Sequence, residues 1–178
     1  CSNVGNSEKG IYEPEEFAWK LLLQHHSQRD EIRQYCLRAM QYSSPAREQF
    51  LRSILEDYRQ PVAVHGYAFL ALAELLARNH ELSGNGEIDG WAEPQREYER
   101  YLRSTNAPEW IEYIRSRDAK QCHTESVDLL RHVLAHYAEI EITQSEPYFR
   151  NVKTLGDKAQ KSLHSLENLR VGKEAPMI

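Results

Sequence analysis

Three side chains of types that bind metal ions follow one another at helical spacing in the second half of the sequence. Asp128, His132 and His136 stand four residues apart, so an α-helix would present all three on one face. The glutamate of a His-Glu-x-x-His hydrolase motif is absent, because Val133 follows the first histidine. A solvent-exposed polar face explains the spacing without a metal. The sequence therefore predicts no metal site and no cofactor, with a metal-dependent enzyme on this face as the alternative.

Other reactive side chains are too weakly patterned to predict catalysis. Cys122 and His123 are of the types that form a nucleophile and its base, yet adjacency in sequence does not supply the geometry this chemistry needs. Residues 85–90 combine carboxylates with glycines but lack the alternating ligands and the closing glutamate of an EF-hand loop. Glycine-rich phosphate loops and Gly-x-Ser-x-Gly elbows do not occur in the sequence. The sequence therefore predicts a protein that is not an enzyme.

Aromatic side chains offer a candidate binding surface in the second half of the chain. The chain has ten tyrosines and three tryptophans, and rings with an apolar body and a polar tip are favoured at binding surfaces. Packing inside the core is the alternative use of such rings. Five of them follow a glycine-rich segment and are the candidate partner-binding residues: Trp91, Tyr98, Tyr101, Trp110 and Tyr113.

Charge and hydrophobicity exclude several classes of protein. Hydrophobic residues make up 40% of the chain and charged residues 28%, the values of an ordinary folded domain. The net charge is −5, and arginines are interleaved with glutamates, so no basic stripe is available for a phosphate backbone. The most apolar segment, residues 67–77, contains Glu74 and is far shorter than the ~20 residues of a membrane span. Nucleic acid is therefore not an expected partner, and this segment is expected to be a core helix.

Prolines divide the chain into helices. Proline suits the first turn of a helix, where its missing N–H is not needed. Six prolines stand just before a helical pattern: Pro14, Pro45, Pro61, Pro94, Pro108 and Pro147. No pair of alternating β-branched segments is joined by a hairpin turn. The expected fold is all-α, a single compact domain of about seven or eight helices packed as antiparallel hairpins over residues 13–171. Residues 1–12 are expected to be a flexible tether and residues 172–178 a frayed tail.

The spacing of apolar residues predicts the buried face of each helix. For the first three helices the inward-facing residues are predicted to be Phe17, Ala18, Leu21 and Leu22, then Ile32, Tyr35, Cys36, Ala39 and Met40, then Phe50, Leu51, Ile54, Leu55 and Tyr58. The helix after Pro61 is apolar nearly all round and is expected to run through the centre, where Gly66 permits close helix approach. A long exposed loop is predicted from Asn79 to Glu93. Thr124 is predicted to cap a later helix.

The first ten residues are the basis for predicting where in the cell the protein lies. Cys1 is followed by a polar segment, residues 2–10, with small residues and no periodicity. This arrangement resembles a mature bacterial lipoprotein. The resemblance implies that Cys1 is lipidated, since several acyl chains together anchor a protein stably. Ser2 beside it implies retention at the outer membrane, with the folded domain facing the periplasm.

Cys36 and Cys122 are the two remaining cysteines. In the oxidising compartment that the resemblance implies, one disulfide bond between them would close a long loop and stabilise the fold by about 2–4 kcal/mol. Cys36 also lies on the predicted apolar face of its helix, where a buried free thiol is equally compatible. Both alternatives stay open at this point.

These observations favour a binding role. The expected function is that of a lipid-anchored helical module that binds a protein partner in the cell envelope, as an adaptor, an assembly factor of an envelope machine or a toxin inhibitor. The alternatives are a metal-dependent envelope enzyme that uses the face of His132 and His136, and a structural spacer. The anchor, the missing catalytic motifs and the aromatic second half support the first of these.

Overall fold

The computed structural model describes residues 17–19, 21–22, 32–84, 108–142, 149 and 152–168. The predicted tether 1–12 and tail 172–178 lie outside the described residues. Within these ranges the protein is all-α, and the one extended feature is an isolated antiparallel bridge between Glu141 and Thr154. Six helices have described bounds: α1 Ile32–Ala39, α2 Pro45–Glu56, α3 Val62–Gly84, α4 Pro108–Arg115, α5 Ala119–His136 and α6 Leu155–Asn168. The all-α single domain predicted from the sequence is confirmed.

Helix α3 is the centre of the domain. It packs against each of the other five helices, which explains why its apolar residues extend nearly all round. The fully or almost fully buried hydrophobic residues of α3 are Val64, Tyr67, Ala68, Leu70, Ala71, Leu72, Ala73, Leu75 and Leu76. Each leucine buried in this way contributes about 1.5–3 kcal/mol to folding. The prediction of a central helix after Pro61 is confirmed.

Helices α3 and α5 run antiparallel, although α4 lies between them in sequence. The Nδ1 atom of His80, near the end of α3, lies 2.8 Å from the carbonyl oxygen of Ala119 at the start of α5. The ring of Phe69, earlier in α3, lies 4.4 Å from the ring of His132 near the end of α5. Helix α6 in turn packs against α5 and α3. The long antiparallel pair therefore joins elements that are not sequence neighbours.

Gly66 allows the α5–α6 connection to approach α3 closely. A Cβ atom at this glycine would lie 2.9 Å from Leu155 Cδ1, 3.0 Å from Ile140 Cδ1 and 3.1 Å from Tyr137 Cβ. These separations are shorter than ordinary carbon–carbon contacts of about 3.5–4.0 Å. The close approach predicted at Gly66 is confirmed, and the absence of a side chain is its cause.

The start of α2 follows the sequence prediction. Ser44 is the N-cap residue, and its Oγ accepts a hydrogen bond from the backbone N–H of Arg47 at 3.2 Å. Pro45 occupies the first helical position, where its missing N–H costs nothing. A polar cap followed by proline is therefore enough to place this helix boundary.

The start of α5 does not follow the prediction. Asp118 is the N-cap, and its Oδ1 accepts hydrogen bonds from the N–H groups of Lys120 at 2.8 Å and Gln121 at 3.0 Å. Thr124 lies inside the helix, and its hydroxyl donates to the carbonyl of Lys120 at 3.0 Å. The prediction of Thr124 as the cap is wrong because a carboxylate six residues earlier satisfies the free N–H groups first.

The buried face predicted for the N-terminal helical segment is wrong at Phe17, Ala18 and Leu21, whereas Leu22 packs against the core as predicted. Phe17 is 63% exposed and Leu21 is 37% exposed, whereas Trp19 is buried. The indole ring of Trp19 packs against the ring of Phe50 with centroids 4.9 Å apart, and the Arg47 guanidinium lies 5.4 Å from the indole centroid. The indole ring of Trp19 is larger than any single side chain of the predicted face, and its burial turns Phe17 and Leu21 towards solvent.

Tyr58 departs from the predicted face of the third helix. Helix α2 ends at Glu56, and the N–H of Asp57 turns back to the carbonyl of Ile54 at 3.3 Å. The helical period is lost there, so Tyr58 projects into solvent with 86% of its surface exposed. Phe50 and Ile54 are buried as predicted.

The predicted loop from Asn79 begins too early. Helix α3 continues to Gly84, and Asn79 is fully buried inside it. Its Nδ2 donates to the Tyr113 hydroxyl at 2.9 Å, and Ser83 Oγ donates to its backbone carbonyl at 2.6 Å. The tertiary hydrogen bond to Tyr113 therefore helps to keep Asn79 in the helix, although asparagine and serine favour turns on their own. Residues 85–93 lie outside the described part of the chain.

Candidate functional site

A shallow groove of about 440 Å³ runs along the outer side of the α3–α5 pair. It is lined by Phe69, Gln121, Thr124, Glu125, Asp128, Leu129 and His132. Phe69 and Leu129 are half-buried and form its apolar part, whereas Asp128 is exposed and Glu125 half-exposed. This α3–α5 groove therefore combines apolar surface with two carboxylates.

An aromatic cluster stands at one end of the α3–α5 groove. The rings of Phe69 and Tyr137 stack with centroids 5.6 Å apart and an interplanar angle of 28°. The centroid of the His132 ring lies 4.4 Å from that of Phe69 and 5.7 Å from that of Tyr137. The His132 and His136 ring centroids are 4.5 Å apart. Burial lowers the pKa of His132, and the neighbouring His136 lowers that pKa further. The contacts orient the two imidazoles beside each other.

The structure brings together two of the three predicted metal-ligand candidates. His132 and His136 are neighbours, and Asp128 lines the groove with His132. In residues 17–19, 21–22, 32–84, 108–142, 149 and 152–168, no three His, Cys, Asp or Glu side chains form a group that could hold a metal ion. Eight residues along a helix rise about 12 Å, so Asp128 and His136 are too far apart to share one ion. The three-ligand site of the alternative hypothesis is not formed.

Cys36 and Cys122 are both buried and both free. Cys36 belongs to α1 and Cys122 to α5, and each of these helices packs against α3. No bond joins the two sulfur atoms, so the disulfide that the sequence allowed is absent. Burial raises the pKa of both thiols. A neutral, buried thiol is a poor nucleophile, which argues against a Cys122–His123 catalytic pair.

A buried polar network that the sequence analysis missed connects α2, α3 and α4. Glu48 is 5% exposed, and its carboxylate accepts hydrogen bonds from Arg52 Nε at 2.9 Å, Tyr113 Oη at 2.5 Å and the Arg117 guanidinium. Asn79 Nδ2 donates to the Tyr113 hydroxyl at 2.9 Å. Burial and the Glu48 carboxylate raise the pKa of Tyr113. The phenol therefore stays protonated and acts as a hydrogen-bond donor in this Glu48 network.

The sequence contains one signal for the Glu48 network, which is two pairs of polar residues at the four-residue spacing of a helix. Glu48 and Arg52 stand four apart on α2, and Tyr113 and Arg117 stand four apart at α4. Arg117 also lies over the Tyr113 ring at 4.4 Å from its centroid. The intervals indicate local pairs, but nothing in them shows that the two pairs meet across 65 residues.

Tyr113 corrects the predicted partner surface. It is 7% exposed, because its ring lies against Arg117 and its hydroxyl is bonded to Glu48 and Asn79. It is therefore a core residue and not a surface contact. Trp91, Tyr98 and Tyr101 lie outside the described residues, as does the side chain of Trp110.

A second cavity of about 370 Å³ lies beside the Glu48 network. Its lining residues are Pro45, Glu48, Gln49, Arg52, Ser53, Glu56, Tyr113 and Arg117. Arg52 bonds Glu48 and also Glu125, the latter at 2.7 Å and 3.1 Å through its two terminal nitrogens. Arg117 bonds Glu48. Glu48, Arg52 and Arg117 are thus already paired, so these three side chains of the cavity serve as structural contacts.

Another polar group has the residue types of a catalytic site but not its chemistry. It consists of Glu74, Lys158 and Ser162. Lys158 Nζ lies 2.9 Å from a Glu74 carboxylate oxygen and 3.1 Å from Ser162 Oγ, and that hydroxyl donates to Glu74. A serine activated by lysine needs a neutral amine as base. An ammonium paired with a carboxylate cannot take the serine proton, so this group serves to join α6 to α3.

The α3–α5 groove, with the histidine pair at its end, is thus a solvent-facing site of the described structure that combines apolar surface with polar groups. None of the helices described is long and apolar enough to cross a membrane. Comparison of the chain with protein-family models, with curated proteins and with solved structures finds no match.

Proposed function

We propose that this protein is a protein-binding module and that the α3–α5 groove is its docking surface. The observation that carries the proposal is the composition of the groove, in which the half-buried Phe69 and Leu129 lie next to the exposed Asp128. Recognition grooves for peptides and helices combine apolar contact area with a few polar groups that set orientation.

The charge of the groove suggests the chemistry of the partner. Glu125 and Asp128 are its charged residues, and the net charge of the whole chain is −5. Arg52 compensates Glu125 at 2.7 Å, which leaves Asp128 as the exposed carboxylate on the groove. An amphipathic protein segment with apolar residues on one face and lysine or arginine beside them complements this surface.

The proposal includes the location implied by the lipoprotein resemblance. Cys1 lies outside the described residues, so the lipid anchor, the outer membrane and the periplasmic face belong to the proposal. An intact mass of the protein purified from its native membrane tests the anchor directly. A mass increase equal to the acyl groups at Cys1 supports it, and an unmodified Cys1 removes it while leaving the docking surface untouched.

In-cell photo-crosslinking tests the docking surface. A photoreactive residue replaces Gln121, which is exposed and lines the groove, and a second copy of the experiment places it at Glu139, which is exposed after α5. The expected adduct forms from position 121 and not from 139. Its partner peptide, identified by mass spectrometry, should contain basic and apolar residues.

Two charge reversals provide the matched control for this experiment. Asp128→Lys and Glu139→Lys change the net charge equally, but only the first lies in the groove. We expect Asp128→Lys to abolish the adduct from position 121 and Glu139→Lys to leave it unchanged. Absence of an adduct from position 121, or an adduct that is equally strong with Asp128→Lys, contradicts the proposal.

A further inference from the structure

His132 and His136 lie one turn apart near the end of α5, where metal ions in solution can reach them. His136 is exposed and His132 is half-buried. Their ring centroids are 4.5 Å apart, and the planes of the rings are inclined at 48°. Two imidazoles can bind one metal ion without a carboxylate or thiol beside them. The absence of a three-ligand group among the described residues therefore does not exclude a site made of these two histidines.

The spacing of the two rings matches one coordination geometry better than another. An imidazole nitrogen about 2 Å from a metal ion puts the ring centroid about 3.2 Å from that ion. Two such rings at neighbouring corners of a square, about 90° apart, have centroids about 4.5 Å apart. At the wider angle of a tetrahedron the centroids would be about 5.2 Å apart. The observed centroid separation of 4.5 Å is compatible with the square arrangement.

We propose that His132 and His136 form a binding site for one late first-row divalent metal ion, with Cu²⁺ preferred. Cu²⁺ and Ni²⁺ favour tetragonal coordination by nitrogen and oxygen, whereas Zn²⁺ favours a tetrahedron, and Cu²⁺ binds nitrogen ligands most tightly of the three. The two imidazoles occupy neighbouring equatorial positions, and water occupies the others. This site does not depend on the groove binding a protein.

Packing orients part of the site before any metal binds. Phe69 lies 4.4 Å from the His132 ring, and Tyr137 lies 5.7 Å from His132 and 6.4 Å from His136. Phe69 and Tyr137 themselves stack on each other. Side chains that are already held in position lose less conformational freedom when they bind, which strengthens binding. The aromatic cluster therefore acts on the metal site through His132.

Titration of the purified, folded full-length chain with Cu²⁺, Ni²⁺ and Zn²⁺ tests the site. Cys1→Ser is present in every sample, so that the thiol at this position does not compete for Cu²⁺. Calorimetry measures stoichiometry and affinity, and electron paramagnetic resonance of the Cu²⁺ sample reports the coordinating nitrogens. We expect one Cu²⁺ ion, an axial spectrum with two imidazole nitrogens, and affinity that decreases from Cu²⁺ through Ni²⁺ to Zn²⁺.

Substitutions assign the ion to these two side chains. Loss of an outer-shell partner lowers metal affinity about 10- to 100-fold, so loss of a direct ligand should cost at least this much. We expect at least this loss with His132→Asn and with His136→Asn, and no change with His164→Asn, an exposed histidine of α6. Circular dichroism of each variant checks that the helices remain folded.

Moving one histidine along α5 separates geometry from composition. The shifted variant, His132→Ala with Ala135→His, keeps two histidines at the exposed end of α5 but makes them neighbours in sequence. Adjacent helical residues point about 100° apart and do not face each other. We expect the same loss of affinity as with His132→Asn. The proposal is overturned if the parent protein binds no Cu²⁺, or if the shifted variant or His136→Asn binds it as tightly as the parent.

Discussion

The hydroxyl of Tyr113 donates a 2.5 Å hydrogen bond to Glu48, a carboxylate that lies 65 residues earlier in the chain and is almost completely buried. This contact holds α4 against α2, and Asn79 extends it to α3. The polar network therefore joins α4 to both α2 and α3.

Tyr113→Phe should destabilise the domain. The change removes one donor to Glu48, which keeps its bonds to Arg52 and Arg117, and it removes the acceptor of Asn79 Nδ2. A buried polar group left without its partner costs about 1–3 kcal/mol. Urea unfolding followed by circular dichroism measures the free energy of unfolding. Tyr58→Phe removes the same hydroxyl from an 86% exposed tyrosine and should change nothing. Equal effects of the two substitutions would show that the network contributes no stability.

Gly66→Ala and Gly156→Ala should both destabilise the domain, the second more than the first. At Gly66 the new methyl group meets the tips of Leu155 and Ile140, which can move aside. At Gly156 it meets the backbone carbonyl oxygen of Ala138 at 2.9 Å, which cannot move without shifting the chain. Overpacking costs about 1–3 kcal/mol, against a helix-propensity gain of up to about 1 kcal/mol.

Thermal unfolding of these two glycine variants beside the parent protein gives the order. A higher melting temperature for Gly156→Ala than for Gly66→Ala would contradict the close approach of Ala138 to α6.

Asp118→Ala should lower the free energy of unfolding by about 0.5–2 kcal/mol, because two N–H groups of the first turn of α5 lose their acceptor. Thr124→Ala is the control, since Thr124 lies inside the helix and its hydroxyl bonds only the carbonyl of Lys120 among the described contacts. Its effect should stay within about 0.5 kcal/mol. Chemical unfolding measures both, and a larger effect at Thr124 would restore it as the cap.

Asp157 should make stability depend on pH. Its carboxylate accepts hydrogen bonds from the N–H groups of Lys153 at 3.0 Å and Thr154 at 3.2 Å, and these bonds lower its pKa. Because the folded-state pKa is below the unfolded value, the stabilisation is present above the unfolded pKa of about 3.9 and is lost as the pH falls through the folded pKa.

The difference in melting temperature between the parent protein and Asp157→Asn measures this contribution. It should be largest at about pH 7 and should shrink towards zero as the pH falls through the lowered folded-state pKa. A difference that stays constant over this range would show that the charge of Asp157 does not contribute.

Local features of the sequence were sufficient for the class of fold and for some helix boundaries. The apolar residues from Val64 to Leu76, which extend nearly all round the helix, predicted the central helix, and Pro45 predicted the start of α2. These predictions succeed because periodicity, capping and proline geometry act between residues a few positions apart. Gly66 belongs with them, since a small residue on an apolar helix indicates close packing.

Other features depended on which helices meet. Trp19 is buried because Phe50 lies opposite it, Asn79 remains helical because Tyr113 accepts its hydrogen bond, and α5 lies on α3 across the intervening α4.

The sequence by itself determined that the chain forms helices and that one of them lies at the centre, since such information is local. Only the tertiary structure decided that Tyr113 is a core residue, that Cys36 and Cys122 stay apart, and that the α3–α5 groove ends at a pair of histidines. The physical reason is that a polar or aromatic side chain can lie either at the surface or in the interior, provided that its hydrogen bonds are satisfied. Which of these applies depends on partners that are distant in sequence.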